Sequence, residues 1–301
     1  MAGIPVTRFG PEDGGNYEHQ WTGKFLVAHF LSDVGKKRSH NEDSCIFCAP
    51  EVEELGRERG ILFAVADGMG GASAGEFASR LALQILTERH YSSVESNIPE
   101  SLRSALEYAN RRIFEEAENN PEYHGMGTTV SAVLVMGDCA YVAQVGDSRV
   151  YLARNDGSFK QITDDHSLVA EQVRNGYISE EEARTHSLKN LITRAVGIKD
   201  SVKVDLFATR LRKGDTLLIC SDGMSNLIKD DEIARLLTRD SLQAAARVLV
   251  GRALEEGGSD NITAVLVRVS ETPPKAKFDP GPTEISLPPP GLLSKLRRLI
   301  S

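Results

Sequence analysis

The chain has 301 residues, enough for one large domain or two modest ones, and 41% of them are hydrophobic, so it can bury a substantial core. Its net charge is -8. Residues from Glu271 onward carry five basic and three acidic groups, so the preceding residues carry -10, which argues against a nucleic acid or an anionic membrane as the main partner.

The expected compartment follows from what the sequence lacks. The first ten residues have no apolar core of the kind found in signal peptides, and no apolar run is as long as a membrane span. Four cysteines are too few and too scattered for a disulfide framework, and the pair Cys45 and Cys48 has no second pair at zinc spacing. We therefore expect a cytoplasmic protein with reduced thiols, and we expect it to be a monomer.

In chain order, a polar lead-in over residues 1–22, expected to be loose, is followed by strand-like runs that alternate with blocks of helix. Short apolar runs predict strands in two groups of three, at 24–31, 44–49 and 61–66, and at 129–136, 140–145 and 148–153. Apolar stripes predict helices at 100–119, 231–237 and 242–256, and a capping box of Ser73 and Glu76 predicts a helix starting at residue 73. Connectors within each strand group are too short for crossover helices, so the strands should pair as antiparallel hairpins. This pattern predicts an α+β fold of stacked antiparallel sheets covered by helices.

Three segments differ in composition from this body. Residues 164–190 are polar, charged and helix-prone, and we interpret them as an inserted surface flap. Residues 271–290 hold seven of the twelve prolines and are expected to form an extended, largely disordered linker. Residues 291–301 form a short basic amphipathic tail, which would either dock on a partner or membrane surface or fray.

Four aspartates lie at the ends of predicted strands. Asp67, Asp147 and Asp222 each follow an apolar run, and Asp260 precedes one. A carboxylate at the mouth of an apolar core is costly unless a cation or hydrogen-bond donors compensate it. Any one of them alone is better explained as a turn or cap residue, but four together indicate a metal site. Oxygen ligands without clusters of histidine or thiolate select Mg²⁺ or Mn²⁺.

Two loops could contact the ligands of such a site. The loop Asp67-Gly68-Met69-Gly70-Gly71 lacks the Gly-Lys-Ser/Thr end of a P-loop, and its aspartate would repel a pyrophosphate. If Asp67 binds a metal, the glycines let the Gly68 carbonyl approach the cation. Arg38, in another loop, has a planar fork that fits a phosphate, although a solvated basic turn is by itself the more ordinary explanation.

Over residues 24–269 the chain resembles the type 2C metal-dependent serine/threonine protein phosphatases, the PPM family. Six motifs occur in the order seen in that family: Arg38…Glu42-Asp43, Asp67-Gly68-Met69-Gly70-Gly71, Gly127-Thr128-Thr129, Val145-Gly146-Asp147-Ser148-Arg149, Ser221-Asp222-Gly223 and Ser259-Asp260-Asn261. Met69 stands where many eukaryotic members have a histidine, so the chain is most similar to bacterial members. The resemblance implies a phosphatase domain over residues 23–270. Its expected fold is a four-layer α/β/β/α sandwich of two antiparallel sheets flanked by helices, with residues 164–190 as the flap.

The resemblance also implies two bound Mn²⁺ or Mg²⁺ ions. Asp67 would bridge both ions, the Gly68 carbonyl would complete the shell of one, and Asp222 and Asp260 would hold the other. A weaker third ion would be bound by Asp147 together with Asp222.

Further residues take roles around these ions by the same resemblance. Glu42 and Asp43 would act through metal-bound waters, and Asn261 would orient Asp260 or a coordinated water. Arg38 would hold the substrate phosphate while a metal-bridging hydroxide attacks phosphorus in line, so that no phosphoenzyme forms. Arg38, Asp67 and Asp222 are thus the expected catalytic residues.

The implied substrates are serine- or threonine-phosphorylated proteins, and the implied cellular role is to reverse a cognate Ser/Thr kinase. Because Met69 cannot donate a proton, we favour a metal-bound water over His40 as the proton donor to the leaving oxygen. A catalytically silent member that binds phosphoproteins as a scaffold is the rival from another class, but the metal aspartates are retained. A phosphatase of small phosphorylated metabolites would use the same active site.

Overall fold

The computed structural model describes residues 6–50, 58–237, 241–276 and 283–284. Strands account for most of the core-forming chain. They are β1 (Val6–Gly10), β2 (Tyr17–Thr22), β3 (Leu26–Asp33), β4 (Asp43–Ala49), β5 (Ile61–Met69), β6 (Gly127–Thr128), β7 (Val130–Met136), β8 (Cys139–Val145), β9 (Arg149–Ala153), β10 (Phe159–Gln161), β11 (Asp205–Arg210), β12 (Thr216–Cys220), β13 (Ile262–Val269) and β14 (Thr283–Glu284).

These strands form two stacked sheets. The first has the order β1-β4-β5-β7-β8-β11-β14, with β6 alongside β5, and the second has the order β10-β9-β12-β13-β3-β2. Every pairing is antiparallel except that of β11 with β14. Between the sheets lies a core of alternate strand residues, including Phe30, Phe47, Phe63 and Leu217.

Helices cover the outer face of each sheet. The α-helices of the described ranges are α1 (Ala72–Ser92), α2 (Ile98–Asn119), α3 (Leu168–Arg174), α4 (Glu180–Thr185), α5 (Asp222–Ser225), α6 (Asp230–Leu237) and α7 (Leu242–Glu255). Of these, α3 and α4 lie in the segment predicted as a flap and not against a sheet. A second core joins α1 and α2 to the first sheet, and a third joins α6 and α7 to the second. The predicted α+β fold of two antiparallel sheets between helical layers is confirmed. No helix in the described ranges is both long and apolar enough to cross a membrane.

The predicted cap of the first helix is wrong. The helix begins at Ala72, one residue earlier, and its N-cap is Gly71, which makes no side-chain cap bond. Gly70 and Gly71 have φ angles of 121° and 95°, in the region that favours glycine. The turn from β5 into α1 is therefore made by glycine backbone rather than by a serine side chain.

Two of the predicted hairpins are also wrong. β3 and β4 lie in different sheets, and so do β8 and β9, whereas β4 pairs with β5 and β7 with β8 as predicted. A short connector can cross between two stacked sheets as readily as it can turn back within one. Both crossing loops carry predicted site residues, Arg38 in the first and Asp147 in the second.

The prediction of a loose lead-in over residues 1–22 is wrong for its described part. β1 pairs with β4 at the edge of the first sheet, and β2 pairs with β3 at the edge of the second. Alternate residues of β2 reach the core between the sheets: the rings of His19 and Trp21 lie 5.7 and 5.5 Å from that of Phe47. This period-two pattern, amid polar neighbours, was the missed strand signal.

The disordered linker predicted for residues 271–290 is contradicted where the structure describes it. Lys275 Nζ lies 3.0 Å from Asp138 Oδ2, and the Ala276 N–H donates to Asp138 Oδ1 at 2.8 Å. Thr283 and Glu284 add a parallel strand beside β11. The pairing of this strand has a general reason: unpaired backbone groups at a sheet edge can bond to an extended segment that lies beside them. The rest of the linker and the predicted tail, residues 291–301, lie outside the described residues.

Candidate metal centre

Asp67 lies near the end of β5, inside the first sheet, and its backbone is fixed on both sides. Its N–H donates to Thr129 Oγ1 at 3.0 Å, and its carbonyl accepts from the Thr129 N–H and the Thr128 hydroxyl, both at 2.9 Å. The next residue must be glycine, because a Cβ on Gly68 would stand 2.1 Å from the Gly75 carbonyl oxygen. The end of the strand is therefore firmly held. Because Gly68 has no side chain, its backbone can be approached closely.

Asp222 and Asp260 lie at the ends of neighbouring strands in the second sheet. Asp222 begins α5 just after β12, and Asp260 stands just before β13. The two strand ends are so close that a Cβ on Gly223 would stand 2.0 Å from the Asn261 carbonyl oxygen. Asn226 Nδ2 also donates to Asp222 Oδ2 at 3.0 Å, which orients that carboxylate.

Asp43 and Asp147 each present a buried oxygen without a donor. Asp43 begins β4 and pairs in register with Asp67, and its Oδ2 accepts from the Ser221 hydroxyl at 2.7 Å. Asp147 lies in the three-residue crossing from β8 to β9. Among the described residues, Oδ1 of Asp43 and Oδ1 of Asp147 have no hydrogen-bond partner. Buried acceptors of this kind are costly, so the cleft calls for a further positive group.

The carboxylates raise one another's pKa. Burial raises the pKa of Asp67 well above its ordinary value, and the charges of Asp43, Asp222, Asp147 and Asp260 raise it further. Burial and the charge of Asp260 raise the pKa of Asp222 to about 6, and burial and the charge of Asp222 raise that of Asp147. The pKa of Asp43 rises to about 7, chiefly through burial. The geometry agrees: Asp43 pairs in register with Asp67, Ser221 joins Asp43 to the end of β12, and the ends of β12 and β13 adjoin, so these carboxylates share one cleft.

Arg38 supplies the positive charge at the rim of this cleft. Its Nη2 lies 2.9 Å from Asp260 Oδ2, its Nη1 lies 3.6 Å from Glu42 Oε1, and its side chain is 45% exposed. Burial would lower the pKa of Arg38, but the charge of Asp260 and the hydrogen bond to it raise the pKa above its ordinary value. The guanidinium is thus charged, and part of it is open to a ligand.

Asn261 fixes the loop that carries Arg38. Its Oδ1 accepts from the Glu42 N–H at 2.8 Å, and its Nδ2 donates to the carbonyls of Val34 and His40, both at 2.9 Å. Asn261 was expected to orient Asp260 or a coordinated water, and its backbone N–H donates to Asp260 Oδ1 at 2.9 Å. The side chain instead joins the second sheet to the first crossing loop, which a motif alone could not indicate.

The residues present fit a divalent cation, although no ready-made cage exists. In the described ranges, no group of three Asp, Glu, His or Cys side chains is arranged as it stands to hold one ion. The pairing of Asp260 with Arg38 is one reason, because it turns that carboxylate toward the guanidinium. Carboxylate oxygens with raised pKa values, two of them lacking donors, are nevertheless what a hard cation would satisfy. Mg²⁺ and Mn²⁺ suit this oxygen set better than zinc.

The segment predicted as a flap, residues 164–190, contains α3 and α4 and stands beside the second crossing loop. A cavity of about 300 Å³ lies between this segment and Asp147. Arg174, Arg184 and Lys189 line the cavity on the side of the flap. The cavity opens next to the candidate cation site and is large enough for a peptide side chain.

Several hydroxyl groups that support the site were missed by sequence reasoning. Thr129 Oγ1 lies 2.7 Å from Ser148 Oγ, which links the end of β5 to the second crossing loop. Ser221 anchors Asp43, as described above. These residues lie inside the recognised motifs, so the signal was their position beside an aspartate. The histidine of the first crossing loop, His40, has its Nε2 2.5 Å from Glu76 Oε2 on α1.

Comparison with known proteins identifies the family that has this arrangement. The sequence model of the family described as protein phosphatase 2C matches residues 36–266. The chain belongs to the protein phosphatase 2C family. The resemblance inferred from the six motifs is thereby confirmed.

Bacterial members of the protein phosphatase 2C family are similar to this chain along most of its length. Serine/threonine phosphatase stp of Listeria innocua is 38% identical over 247 residues, 80% of this chain and 95% of that protein. Protein phosphatase PhpP of Streptococcus pneumoniae is 38% identical over 246 residues, 80% of this chain and 96% of that protein.

Solved structures of bacterial phosphatases are similar in fold. The Mycobacterium tuberculosis serine/threonine phosphatase PstP/Ppp has a TM-score of 0.73 and 35% identity, covering 82% of this chain and 100% of that one. The catalytic domain of the serine threonine protein phosphatase PstP in complex with two manganese ions has a TM-score of 0.70 and 35% identity, with 82% and 99% covered.

Proposed function

We propose that this chain is a Mn²⁺- or Mg²⁺-dependent protein phosphatase that hydrolyses phosphoserine and phosphothreonine. The observation that carries the proposal is the convergence of carboxylates from both sheets beside the partly exposed Arg38. Membership of the protein phosphatase 2C family and 38% identity to bacterial serine/threonine phosphatases support it.

The cation ligands would come from both sheets. Asp67 and the Gly68 carbonyl on the first sheet, with Asp222 and Asp260 on the second, would hold two ions, and Asp147 with Asp222 would hold a third. When bound, such ions supply a water of lowered pKa and offset the negative charge of a phosphate.

Asp43 and Glu42 would orient water in the cleft. Asp43 has its Oδ2 occupied by the Ser221 hydroxyl, while its Oδ1 is free to accept a hydrogen bond from a water. Burial also raises the pKa of Glu42, and the charge of Arg38 opposes that rise. Asp43 pairs in register with Asp67, and the backbone carbonyl of Glu42, the preceding residue, accepts from the Gly68 N–H at 3.2 Å. We infer that the two carboxylates align water beside the end of β5.

Arg38 would bind the phosphate of the substrate. Its side chain is long and 45% exposed, and within the described residues its ion pairs are with Asp260 and Glu42. A guanidinium forms paired hydrogen bonds with phosphate oxygens as well as with a carboxylate, so Arg38 can exchange one partner for the other. It then offsets the charge that the equatorial oxygens carry in the transition state.

Hydrolysis would be direct, without a covalent phosphoenzyme. The Ser221 hydroxyl donates to Asp43 and accepts from the Thr263 N–H at 3.0 Å, so it is not free to attack. All four cysteines are buried. Met69 has no proton to give, and His40 is engaged by Glu76, so the leaving oxygen would take its proton from a water in the cleft.

The decisive experiment measures hydrolysis of a phosphothreonine peptide with Mn²⁺, with and without chelator. We expect chelator to abolish turnover and Asp222→Asn to reduce it by at least about 100-fold. Asp215→Asn is a matched control, because Asp215 precedes the opposite end of β12 and burial raises its pKa to about 6 as well. Metal-independent turnover, or full activity of Asp222→Asn, would rule out this mechanism.

The cellular setting belongs to the same proposal. We expect serine- and threonine-phosphorylated proteins as substrates and a cognate Ser/Thr kinase as the opposing enzyme. A cytoplasmic monomer is in keeping with the acidity of the chain, which has a net charge of -8 over its full length.

A further inference from the structure

Asp165 and His166, among the first residues of the flap, form its outgoing stem. His166 in this stem is hydrogen-bonded to the backbone beside Asp147. The His166 N–H donates to the Gly146 carbonyl at 3.0 Å, and the Gly146 N–H donates to His166 Nδ1, also at 3.0 Å. Both polar groups of Gly146 are therefore bonded to His166, one through the backbone N–H of His166 and one through its ring, and the Gly146 carbonyl also accepts from Gln144 Nε2 at 3.0 Å. His166 is only 2% exposed, so water cannot readily replace it.

A second connection lies on the other side of Asp147. Arg149 donates through Nε and Nη2 to the carboxylate of Asp165 at 2.6–3.0 Å. Only 19% and 10% of these two side chains are exposed, so the pair is largely protected from solvent and salt. Consecutive flap residues thus hold the positions immediately before and two residues after Asp147.

The hydrogen bond from Gly146 sets the protonation state of His166. A backbone N–H can only donate, so Nδ1 must be the unprotonated nitrogen and the ring proton lies on Nε2. That proton faces Asp205 Oδ2 at 3.0 Å, and Arg194 Nη1, which lies 2.9 Å from Nε2, is itself paired with Asp205 Oδ1 at 3.0 Å. Burial and the charges of Arg194 and Arg174 lower the pKa of His166, while Asp205 raises it, and the net direction is down. The neutral ring is therefore the form that fits.

The returning stem of the flap reaches the other side of the cleft. The Thr193 N–H donates to the His166 carbonyl at 2.8 Å, which joins the two stems. Val196 and Thr128 exchange backbone hydrogen bonds at 2.8 and 2.9 Å, and the Thr128 hydroxyl donates to the Asp67 carbonyl. The two stems together thus contact the backbone on both sides of the candidate cation site.

We propose that His166 is a positioning residue: by bonding both polar groups of Gly146, it couples the placement of the flap to the binding of the third cation at Asp147. This inference rests on the proposed function, since it assumes the cation site. In the part of the chain that the structure describes, Asp147 Oδ1 is buried without a donor, so a cation there would restrain the crossing loop, and that restraint would pass to the flap through His166. Coupling of this kind is reciprocal: a docked flap strengthens cation binding to the same extent.

The two nitrogens of the ring make the proposal testable by a pair of amides. Asparagine can place an amide oxygen near the position of Nδ1 and so still accept the Gly146 N–H, whereas glutamine reaches the position of Nε2 instead. We expect His166→Asn to keep the coupling and both His166→Gln and His166→Leu to lose it. A purely space-filling role would not separate the two amides.

The experiment combines calorimetric titration with Mn²⁺ and trypsin cleavage within the flap, after Arg174, Arg184 and Lys189. In the wild-type protein we expect a weak class of Mn²⁺ site, absent from Asp147→Asn, whose filling slows flap cleavage. In His166→Gln and His166→Leu this class should weaken by about 10- to 100-fold, while the tighter sites keep their affinity. Flap cleavage should then no longer respond to Mn²⁺.

A control variant separates this effect from general damage to the core. His90→Leu also removes a buried histidine with two hydrogen bonds, to Ser101 and the Arg59 carbonyl, but on α1. It should leave Mn²⁺ binding unchanged. If the leucine variant of His166 does not fold, the glutamine variant carries the test.

The outcomes separate this inference from the proposed function. Unchanged weak-site affinity in His166→Gln, or equal loss in His166→Asn, would overturn the inference alone, as would a wild-type protein without a weak class. Failure of the wild-type protein to bind any Mn²⁺ would overturn both.

Discussion

At the scale of single residues, Arg38 pairs with a carboxylate that is proposed to bind a metal ion. Its guanidinium lies 2.9 Å from Asp260 Oδ2, and that carboxylate is a proposed metal ligand. A carboxylate that is hydrogen-bonded to an arginine is less available as a metal ligand. Arginine and cation therefore compete for Asp260, and cation binding would release Arg38 toward the phosphate.

Replacing Arg38 by alanine should have opposite effects on metal binding and catalysis. We expect Mn²⁺ to bind several-fold more tightly, because Arg38 no longer competes with the cation for Asp260. We expect kcat/KM for a phosphothreonine peptide to fall by about 100-fold, because the phosphate loses its guanidinium partner. Titration calorimetry and steady-state kinetics check the two effects. Lys37→Ala removes the same charge from an exposed neighbouring residue. Equal gains in affinity in both variants would show that only net charge matters.

The identity of the aspartates was predictable from sequence, but their contacts were not. An acidic residue after an apolar run is a local pattern, so Asp67 and Asp222 could be selected without a fold. The pair of Arg38 with Asp260 joins residues 222 positions apart, and no spacing rule reports it. The bond between His166 and Gly146 was missed for the same reason, although Gly146 lies in a recognised motif and His166 in the predicted flap.

At the scale of elements, residues 270–276, which follow β13, form a strap across the ends of β7, β8 and β11 in the first sheet. Asp138, in the turn from β7 to β8, accepts from Arg210 at 2.7 Å, from Lys275 at 3.0 Å and from the Ala276 N–H at 2.8 Å. Burial alone would raise the pKa of Asp138, but the Ala276 N–H and the two cations lower it overall. Asp138 thus holds the strap together with Arg210, whose Nη1 also donates to the Ala276 carbonyl at 3.1 Å.

Asp138→Ala should release the strap without affecting catalysis. We expect a loss of about 1–3 kcal/mol in the free energy of unfolding, since three donors lose a charged acceptor. Urea unfolding measures the loss, and faster trypsin cleavage after Lys275 reports the release. Glu271→Ala, which breaks the exposed pair with Lys213 in the same segment, should cost less than about 1 kcal/mol. Equal costs for the two variants would contradict the strap.

Element prediction succeeded where a pattern was local and failed where the chain changed sheet. The hairpins of β4 with β5 and of β7 with β8 follow from apolar runs and short turns. The crossings at residues 34–42 and 146–148 look the same in sequence, because connector length does not encode which sheet the next strand joins. Strand β2 escaped notice because its core-facing residues alternate with strongly polar ones.

At the scale of the whole molecule, the carboxylate cluster opposes folding when no cation is bound. The native pKa of Asp222 is about 6, against an ordinary value of 3.8, so its charged form is disfavoured in the folded state. This penalty is absent at pH values below about 4. It grows as the pH rises toward 6 and is constant above that value.

Asp222→Asn should therefore stabilise the metal-free protein while abolishing activity. Above pH 6 we expect a gain of about 1–2 kcal/mol in the free energy of unfolding, allowing for partial exposure of the side chain, and no gain near pH 4. Urea unfolding with chelator at both pH values measures the difference. Saturating Mn²⁺ should reverse the order of stability, because the wild-type protein binds it more tightly. A variant that is less stable at both pH values would contradict this account.

The four strand-end aspartates come from positions 67, 147, 222 and 260, spread over both sheets and the crossing between them. During synthesis the ribosome releases Asp67 and Asp147 long before the strand that follows Asp260. A nascent or truncated chain would consequently hold only part of the proposed ligand set. On this proposal, hydrolysis would begin only after β13 has joined the second sheet.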